Sequence, residues 1–189
     1  MALDTTFTVT GDHADYHGEL HAHYNNWMDV KDYGAVGDGS ADDTAAIQAA
    51  IDAGAVGRTK QHRIFFPGGN YRITDTLNCT DRRDITLMGE SPRFTRIVAY
   101  CTGKPVFDLV GATAIQFQNI AIQGSSSATP SVAFFIARST LYSASQISFS
   151  DCHLYGAWSL GGWYNVSAEA NVWRDCVAEL YNGSPEFAL

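Results

Sequence analysis

The most informative stretch of this chain is DYGAVGDGSADDTAAIQAAI, at residues 32–51. Closely spaced glycines in its first half favour a turn after a short strand, because glycine adopts backbone angles that other residues avoid. The Asp-Asp-Thr run at 42–44 supplies side chains that cap a helix N-terminus. Isoleucines and alanines then recur at helical spacing. The stretch therefore predicts a short amphipathic helix over about 42–53, of a kind that covers the end of an open structure.

Later segments of the chain repeat one pattern, in which apolar and polar residues alternate as half-buried strands require. The segments lie at 85–89, 115–124, 147–156 and 171–180, after a first rung at 65–73. One equivalent position in them holds Leu87, Phe117, Phe149 and Trp173. A second, two residues later, holds Asn119, Asp151 and Asp175. Quasi-repeats of this kind signal a solenoid, so the sequence predicts an all-β fold of about four to five rungs.

Residues 32–51 also closely resemble the opening motif of the pectate-lyase-like superfamily of single-stranded, right-handed parallel β-helices, which includes polygalacturonase-like enzymes and bacteriophage tailspikes. The resemblance implies a parallel β-helix whose N-terminal end is covered by the helix at 42–53, where strand edges would otherwise be exposed. It implies little about activity, because the motif is a cap rather than an active site. Asp38, Asp42 and Asp43 are accordingly interpreted as turn and cap residues.

The N-terminal segment, residues 1–27, shows a different pattern. A heptad-like series with intervals of four, three, four and three is formed by His13, His17, Leu20, Tyr24 and Trp27. This series predicts a short helix with an oligomer seam, since so short a helix is marginal alone in water. The β-helix is expected over 28–182, and a C-terminal tail over 183–189.

Residues 11–21, GDHADYHGELH, resemble the opening of many tail-associated proteins of actinobacterial phages. Together with the cap motif, this resemblance implies a virion protein that forms a homotrimer, as tailspikes do, and contacts other phage tail proteins. Three chains on one axis would bring the imidazoles of His13 and His17 together, which suits a transition metal. The alternative is that these histidines are interface residues without a metal.

Charge and composition exclude several kinds of partner. The net charge is −8, and the sequence has no basic stripe that could neutralise the phosphates of a nucleic acid. No apolar stretch is long enough for membrane insertion, and the N-terminus lacks the pattern of a signal peptide, so we expect synthesis in the host cytoplasm. Cys152 and Cys176 fall at the same position of successive rungs. They are predicted to stack as free thiols, with a disulfide as the alternative.

The side chains that could act on a polysaccharide lie late in the chain. Glycoside hydrolysis needs two carboxyl groups facing one groove, and the candidates are Asp151, Asp175 and Glu179. Asn119 holds the same position one rung earlier, which favours a turn-stabilising ladder over catalysis. Aromatic side chains that could stack on sugar rings are Tyr155, Trp158, Trp163 and Tyr164, with burial in the core or an oligomer interface as the alternative.

The sequence thus favours a structural virion protein of a phage tail fibre, tailspike or tail tip that contributes to host attachment, and it favours this role over catalysis without deciding between them. A tailspike enzyme that degrades polysaccharide, as a hydrolase or a lyase, is the first alternative. A carbohydrate-binding receptor module without turnover is the second.

Overall fold

The protein is a parallel β-solenoid of about five turns with one α-helix at its N-terminal end. The computed structural model describes residues 27–54, 62–166 and 169–181. Each complete turn contributes one strand to each of three parallel sheets. The predicted fold class and the number of rungs are therefore confirmed. The helix and tail predicted at the two termini lie outside the described residues, apart from Trp27.

The strands are numbered β1 to β16 in chain order. The first sheet contains β1 (Trp27–Asp29), β3 (His62–Phe66), β6 (Ile85–Gly89), β9 (Gln116–Gln118), β12 (Ser148–Ser150) and β15 (Val172–Arg174). The second contains β2 (Asp38–Asp42), β4 (Gly69–Ile73), β7 (Thr95–Ala99), β10 (Ala121–Gly124), β13 (His153–Ala157) and β16 (Val177–Tyr181). The third contains β5 (Leu77–Asn78), β8 (Phe107–Asp108), β11 (Val132–Ala137) and β14 (Gly161–Val166). A 3₁₀ helix covers Val30–Tyr33, and helix α1 covers Thr44–Gly54.

The first sheet aligns one apolar position from turn to turn. Leu87 pairs with Phe117, Phe117 with Phe149, and Phe149 with Trp173, as the repeat predicts. The rings of Phe117 and Phe149 stack with centroids 5.2 Å apart, and those of Phe149 and Trp173 stack at 3.7 Å. Because strand spacing places identical positions directly above one another, one repeated aromatic position becomes a continuous stack through the core.

The corners between the first and second sheets explain the repeated Asn/Asp position. Asn119, Asp151 and Asp175 have φ angles of 56°, 49° and 53°, in the left-handed region. Asn and Asp adopt this conformation more readily than most residues, since their short side chains bond to the local backbone. The interpretation of this position as a turn position is confirmed.

Helix α1 covers the N-terminal end of the solenoid, close to the predicted bounds. Buried Asp43 precedes it, and its carboxylate accepts hydrogen bonds from the N–H groups of Val36 at 2.6 Å and Gly37 at 3.1 Å. The carboxamide of Gln48 pairs with the backbone of Asn78 on β5, accepting from its N–H at 2.7 Å and donating to its carbonyl at 3.1 Å. Gln48 thus takes the place of a neighbouring strand at the edge of the third sheet.

Two details of the N-terminal region differ from the sequence predictions. The glycine-rich stretch is not a turn throughout, because residues 38–42 form β2, which pairs with β4 in an irregular register. Trp27 lies in β1 rather than on a helical seam, because its backbone pairs with Arg63 of β3. Its ring makes an edge contact with Phe65, with centroids 5.9 Å apart.

Candidate functional site

A groove with a volume of about 490 Å³ lies on the outer face of the third sheet. Asp108 of β8, Phe135 of β11 and Tyr164 of β14 occupy the same register position on three neighbouring strands and line this groove. Since side chains at one register position point to one face of a sheet, these three form a row across the turns. We call this feature the third-sheet groove.

Two stacked aromatic rings lie in the third-sheet groove. The rings of Phe135 and Tyr164 stack with centroids 5.7 Å apart and an interplanar angle of 5°. Tyr164 is 49% exposed, and Leu160 beside it is 67% exposed. Exposed aromatic faces with a hydroxyl at one edge combine apolar contact with hydrogen bonding. The groove is therefore suited to a ligand that combines an apolar face with hydroxyl groups.

Asp108 places a carboxylate next to the aromatic pair. Its partial burial raises the pKa of this carboxyl above the usual 3.8, because desolvation disfavours the charged form. The N–H of Val110 donates to Oδ1 at 3.2 Å and partly offsets that effect. Among the described residues that line the groove, Asp108 alone carries a formal charge. Its carboxylate can accept hydrogen bonds from a bound hydroxyl group.

The four aromatic residues singled out in the sequence do not form one surface. Trp158 is buried, and Trp163 packs against Trp173 with ring centroids 4.5 Å apart. Tyr155 lies on β13 of the second sheet, where the guanidinium of Arg96 lies 5.3 Å from its ring centroid. Of the four, the third-sheet groove contains Tyr164 alone.

The carboxylate candidates lie on a different part of the solenoid. Asp151 and Asp175 occupy the corners between the first and second sheets, and Glu179 lies on β16 in register with Tyr155. The Oδ1 atom of Asp151 is 3.7 Å from Nε2 of His153. The structure therefore does not bring these three carboxylates into the third-sheet groove.

The histidines proposed as metal ligands, His13 and His17, lie outside the described residues, as do the seam residues Leu20 and Tyr24. Within residues 27–54, 62–166 and 169–181, no group of three His, Cys, Asp or Glu side chains is arranged to hold a metal ion. The same residues contain no helix with the length and apolar character needed to cross a membrane.

Comparison with known families places the chain in one of them. Residues 27–146 match the family described as rhamnogalacturonase A/epimerase, pectate lyase-like. The match covers most of the chain and contains the cap motif and most of the solenoid. The chain therefore belongs to this pectate lyase-like family, and the resemblance found in the sequence is confirmed.

Individual relatives are similar over part of their length. Mannuronan C5-epimerase AlgE3 of Azotobacter vinelandii is 56% identical over 49 residues, which are 25% of this chain and 2% of the epimerase. The solved structure of ORF18 of Geobacillus virus E2 has a TM-score of 0.62 at 23% identity, covering 84% of this chain and 34% of the viral protein. The N-terminal fragment of gene product 12 of bacteriophage Phi29 has a TM-score of 0.53 at 13% identity, covering 87% and 39%.

These similarities differ in what they establish. The chain spans only 2% of the epimerase, 34% of the Geobacillus virus structure and 39% of the Phi29 structure. At these identities, the two phage structures establish a shared fold. Since one fold hosts many functions, the shared fold does not specify an activity.

Proposed function

We propose that this protein is a phage tail component, of the tail fibre, tailspike or tail-tip type, that contributes to host attachment by binding a polysaccharide of the bacterial surface. The observation that supports this proposal is the third-sheet groove, in which the stacked pair Phe135 and Tyr164 lies in register with the carboxylate of Asp108. Aromatic faces pack against the apolar faces of sugar rings, and a carboxylate accepts hydrogen bonds from sugar hydroxyls.

The phage context is supported by two independent likenesses. Two phage proteins share the fold, and residues 11–21 resemble the opening of phage tail-associated proteins. We propose that the protein is located in the virion, forms a homotrimer through the seam of His13, His17, Leu20 and Tyr24, and contacts other tail proteins. A polar seam of this kind fixes the register and number of chains.

Binding without cleavage is favoured by the number of carboxyl groups in the described lining of the groove. Hydrolysis of a glycosidic bond needs two carboxyl groups about 5 Å apart, or about 6.5–9.5 Å apart, according to the mechanism. The described residues that line the groove supply one carboxylate, Asp108. A degrading enzyme would need a second group from elsewhere, so we place the polysaccharide hydrolase or lyase second.

The negative charge of Asp108 favours neutral polysaccharides over acidic ones. The groove offers a negative carboxylate, and the chain has a net charge of −8. A polyuronate would be repelled by both, whereas a neutral polysaccharide would bring hydroxyl groups to Asp108 without repulsion. We therefore propose a neutral glycan as the ligand of the third-sheet groove.

The proposal is tested by titration calorimetry with neutral capsular polysaccharides and O-chains, followed by size-exclusion chromatography of the polysaccharide. We expect the Tyr164→Ala variant to bind about tenfold or more weakly than the wild type, because half of the aromatic surface is lost. Phe94→Ala is the matched control, since Phe94 is 68% exposed and does not line the groove.

The other outcomes are equally informative. Shortening of the polysaccharide would support the enzyme alternative instead. Equal binding by wild type and Tyr164→Ala would place the ligand elsewhere on the solenoid. A wild type that binds no member of the panel would leave the purely structural role in the virion.

A further inference from the structure

Two cysteines lie side by side on the last two described turns. Cys152 and Cys176 each follow a left-handed corner residue and precede a strand of the second sheet. The residues before and after them are in register, since Ser150 pairs with Arg174 and His153 with Val177. The N–H of Val177 also donates to the carbonyl of Cys152 at 3.0 Å. The two cysteines are therefore direct neighbours across adjacent turns.

This placement is compatible with a disulfide. Neighbouring strands lie about 4.8 Å apart, and the Cα atoms of bonded cysteines lie about 4.4–6.8 Å apart. Each sulfur atom lies close to the carbonyl oxygen of the residue two positions earlier, Sγ of Cys152 at 3.5 Å from that of Ser150 and Sγ of Cys176 at 3.2 Å from that of Arg174. Because both make the same local contact, both sulfur atoms lie on the same side of the corner.

The two thiols differ in reactivity. A hydrogen bond from Cys152 lowers the pKa of Cys176 from 9.0 to about 7 and raises that of Cys152. Cys176 is partly exposed, whereas Cys152 is buried. Cys79 and Cys101 are also buried, and burial raises their pKa values to about 12 and about 11. Since the thiolate is the nucleophile in exchange reactions, Cys176 is the most reactive of the four cysteines.

We propose that Cys176 and Cys152 form a reversible disulfide when the protein meets a small disulfide oxidant such as oxidised glutathione. The Cys176 thiolate attacks one sulfur of the oxidant, and one glutathione thiolate leaves. Cys152 then loses its proton to solvent and attacks Sγ of Cys176, which releases the second glutathione thiolate. The two cysteines lose two electrons in total, and these reduce the oxidant to two thiols.

The disulfide would join the turn of β15 and β16 to the turn before it. These strands are the last in their sheets among the described residues, and Val172 and Val177 on them are exposed. A covalent link between turns restricts separation of the last one. The inference does not depend on the proposed glycan binding, because it concerns another corner of the solenoid.

The test uses the purified full chain, incubated with oxidised glutathione at neutral pH and analysed by intact mass and peptide mapping. We expect a mass lower by two hydrogen atoms and a peptide linking Cys152 to Cys176. Hydrogen exchange of β15 and β16 should then slow by about tenfold or more, and a reductant should reverse the effect. The Cys152→Ser variant should stop at a glutathione adduct on Cys176, and Cys176→Ser should not react.

A matched control is the Cys79→Ser/Cys101→Ser variant, which should form the disulfide as the wild type does. The proposal is overturned if the wild type accumulates the Cys176 adduct without closing the disulfide. It is also overturned if all thiols stay unmodified, or if the double variant abolishes the linked peptide while remaining folded.

Discussion

In the third-sheet groove, the pKa of Asp108 depends on how far its carboxyl is buried. Its carboxyl has a raised pKa because it is partly buried, so the folded protein binds this proton more tightly than the unfolded chain does. The resulting stabilisation is fully present below the unfolded pKa and is lost as the pH rises through the folded pKa. At neutral pH, the ionised Asp108 is therefore a cost to folding, because its charge is partly removed from water.

The Asp108→Asn variant separates these two effects. At pH 7 we expect a higher melting temperature than for the wild type, because the neutral amide avoids the desolvation of a charge. At about pH 3, below the unfolded pKa, the gain should disappear, since the wild-type carboxyl is then neutral too. Affinity for the neutral polysaccharide at pH 7 should fall about tenfold, because a charged acceptor is lost.

The control is Asp32→Asn, since Asp32 is exposed and does not line the groove. Melting curves at the two pH values are the measurement. A gain of the same size at both would mean that the charge of Asp108 is not its cause.

At the scale of one element, helix α1 covers the end of the solenoid, and one of its side chains, Gln48, makes the hydrogen bonds that a further strand would make. The carboxamide of Gln48 carries a donor and an acceptor, and both are bonded to the backbone of Asn78. Nearby, Thr44 donates to Asp42, which also accepts from the Thr74 hydroxyl at 2.5 Å. The cap is thus attached to the second turn by polar contacts as well as by its buried apolar face.

The Gln48→Ala variant should lower the free energy of unfolding by about 1–2 kcal/mol, because two hydrogen bonds to the β5 edge are lost. The amide of Asn78 should also exchange faster. Gln118→Ala is the control, since the Gln118 side chain bonds to Gln116 on its own strand, and we expect a change of at most about 0.5 kcal/mol. Urea unfolding checks the energies, and equal losses in the two variants would contradict the proposed role of Gln48.

Sequence patterns identify some corners of the solenoid and miss others. Asn119, Asp151 and Asp175 are recognisable, because Asn and Asp favour the left-handed region. Another set of corners, before the first sheet, includes Ala114, Gln146 and Ala170 at φ angles of 55–56°. Nothing in these residue types indicates that conformation, since the surrounding turns impose it.

The groove could be predicted only in part for a similar reason. Tyr164 stands out in an aromatic-rich stretch, and it does line the groove. Asp108 lies on a strand of two residues, too short for an alternating pattern, and its partner Phe135 is far along the chain. Their alignment depends on the lengths of the loops between turns, which the repeat pattern does not specify.

At the scale of the whole molecule, the proposed trimer would present three copies of the third-sheet groove. Linked binding sites gain avidity without any new contact, so three weak glycan sites can hold a long polysaccharide firmly. A trimer would thus make modest affinity in each groove sufficient for attachment to a host surface.

Light scattering of the full chain should give about three times 20.5 kDa. A Leu20→Lys variant should shift the mass toward one chain, because a charge in the predicted seam disfavours association. Dissociation in EDTA would assign a metal to His13 and His17, whereas an unchanged mass would favour interface histidines without metal. A wild type with the mass of one chain would contradict the trimer.

The binding role of the third-sheet groove is tested most directly by hydrogen exchange of the full chain with and without a saturating neutral polysaccharide. We expect slower exchange at residues 103–108, 131–135 and 160–164, where the groove is built. Protection confined to the corners of Asp151 and Asp175 and to the strand of Glu179 would contradict this site.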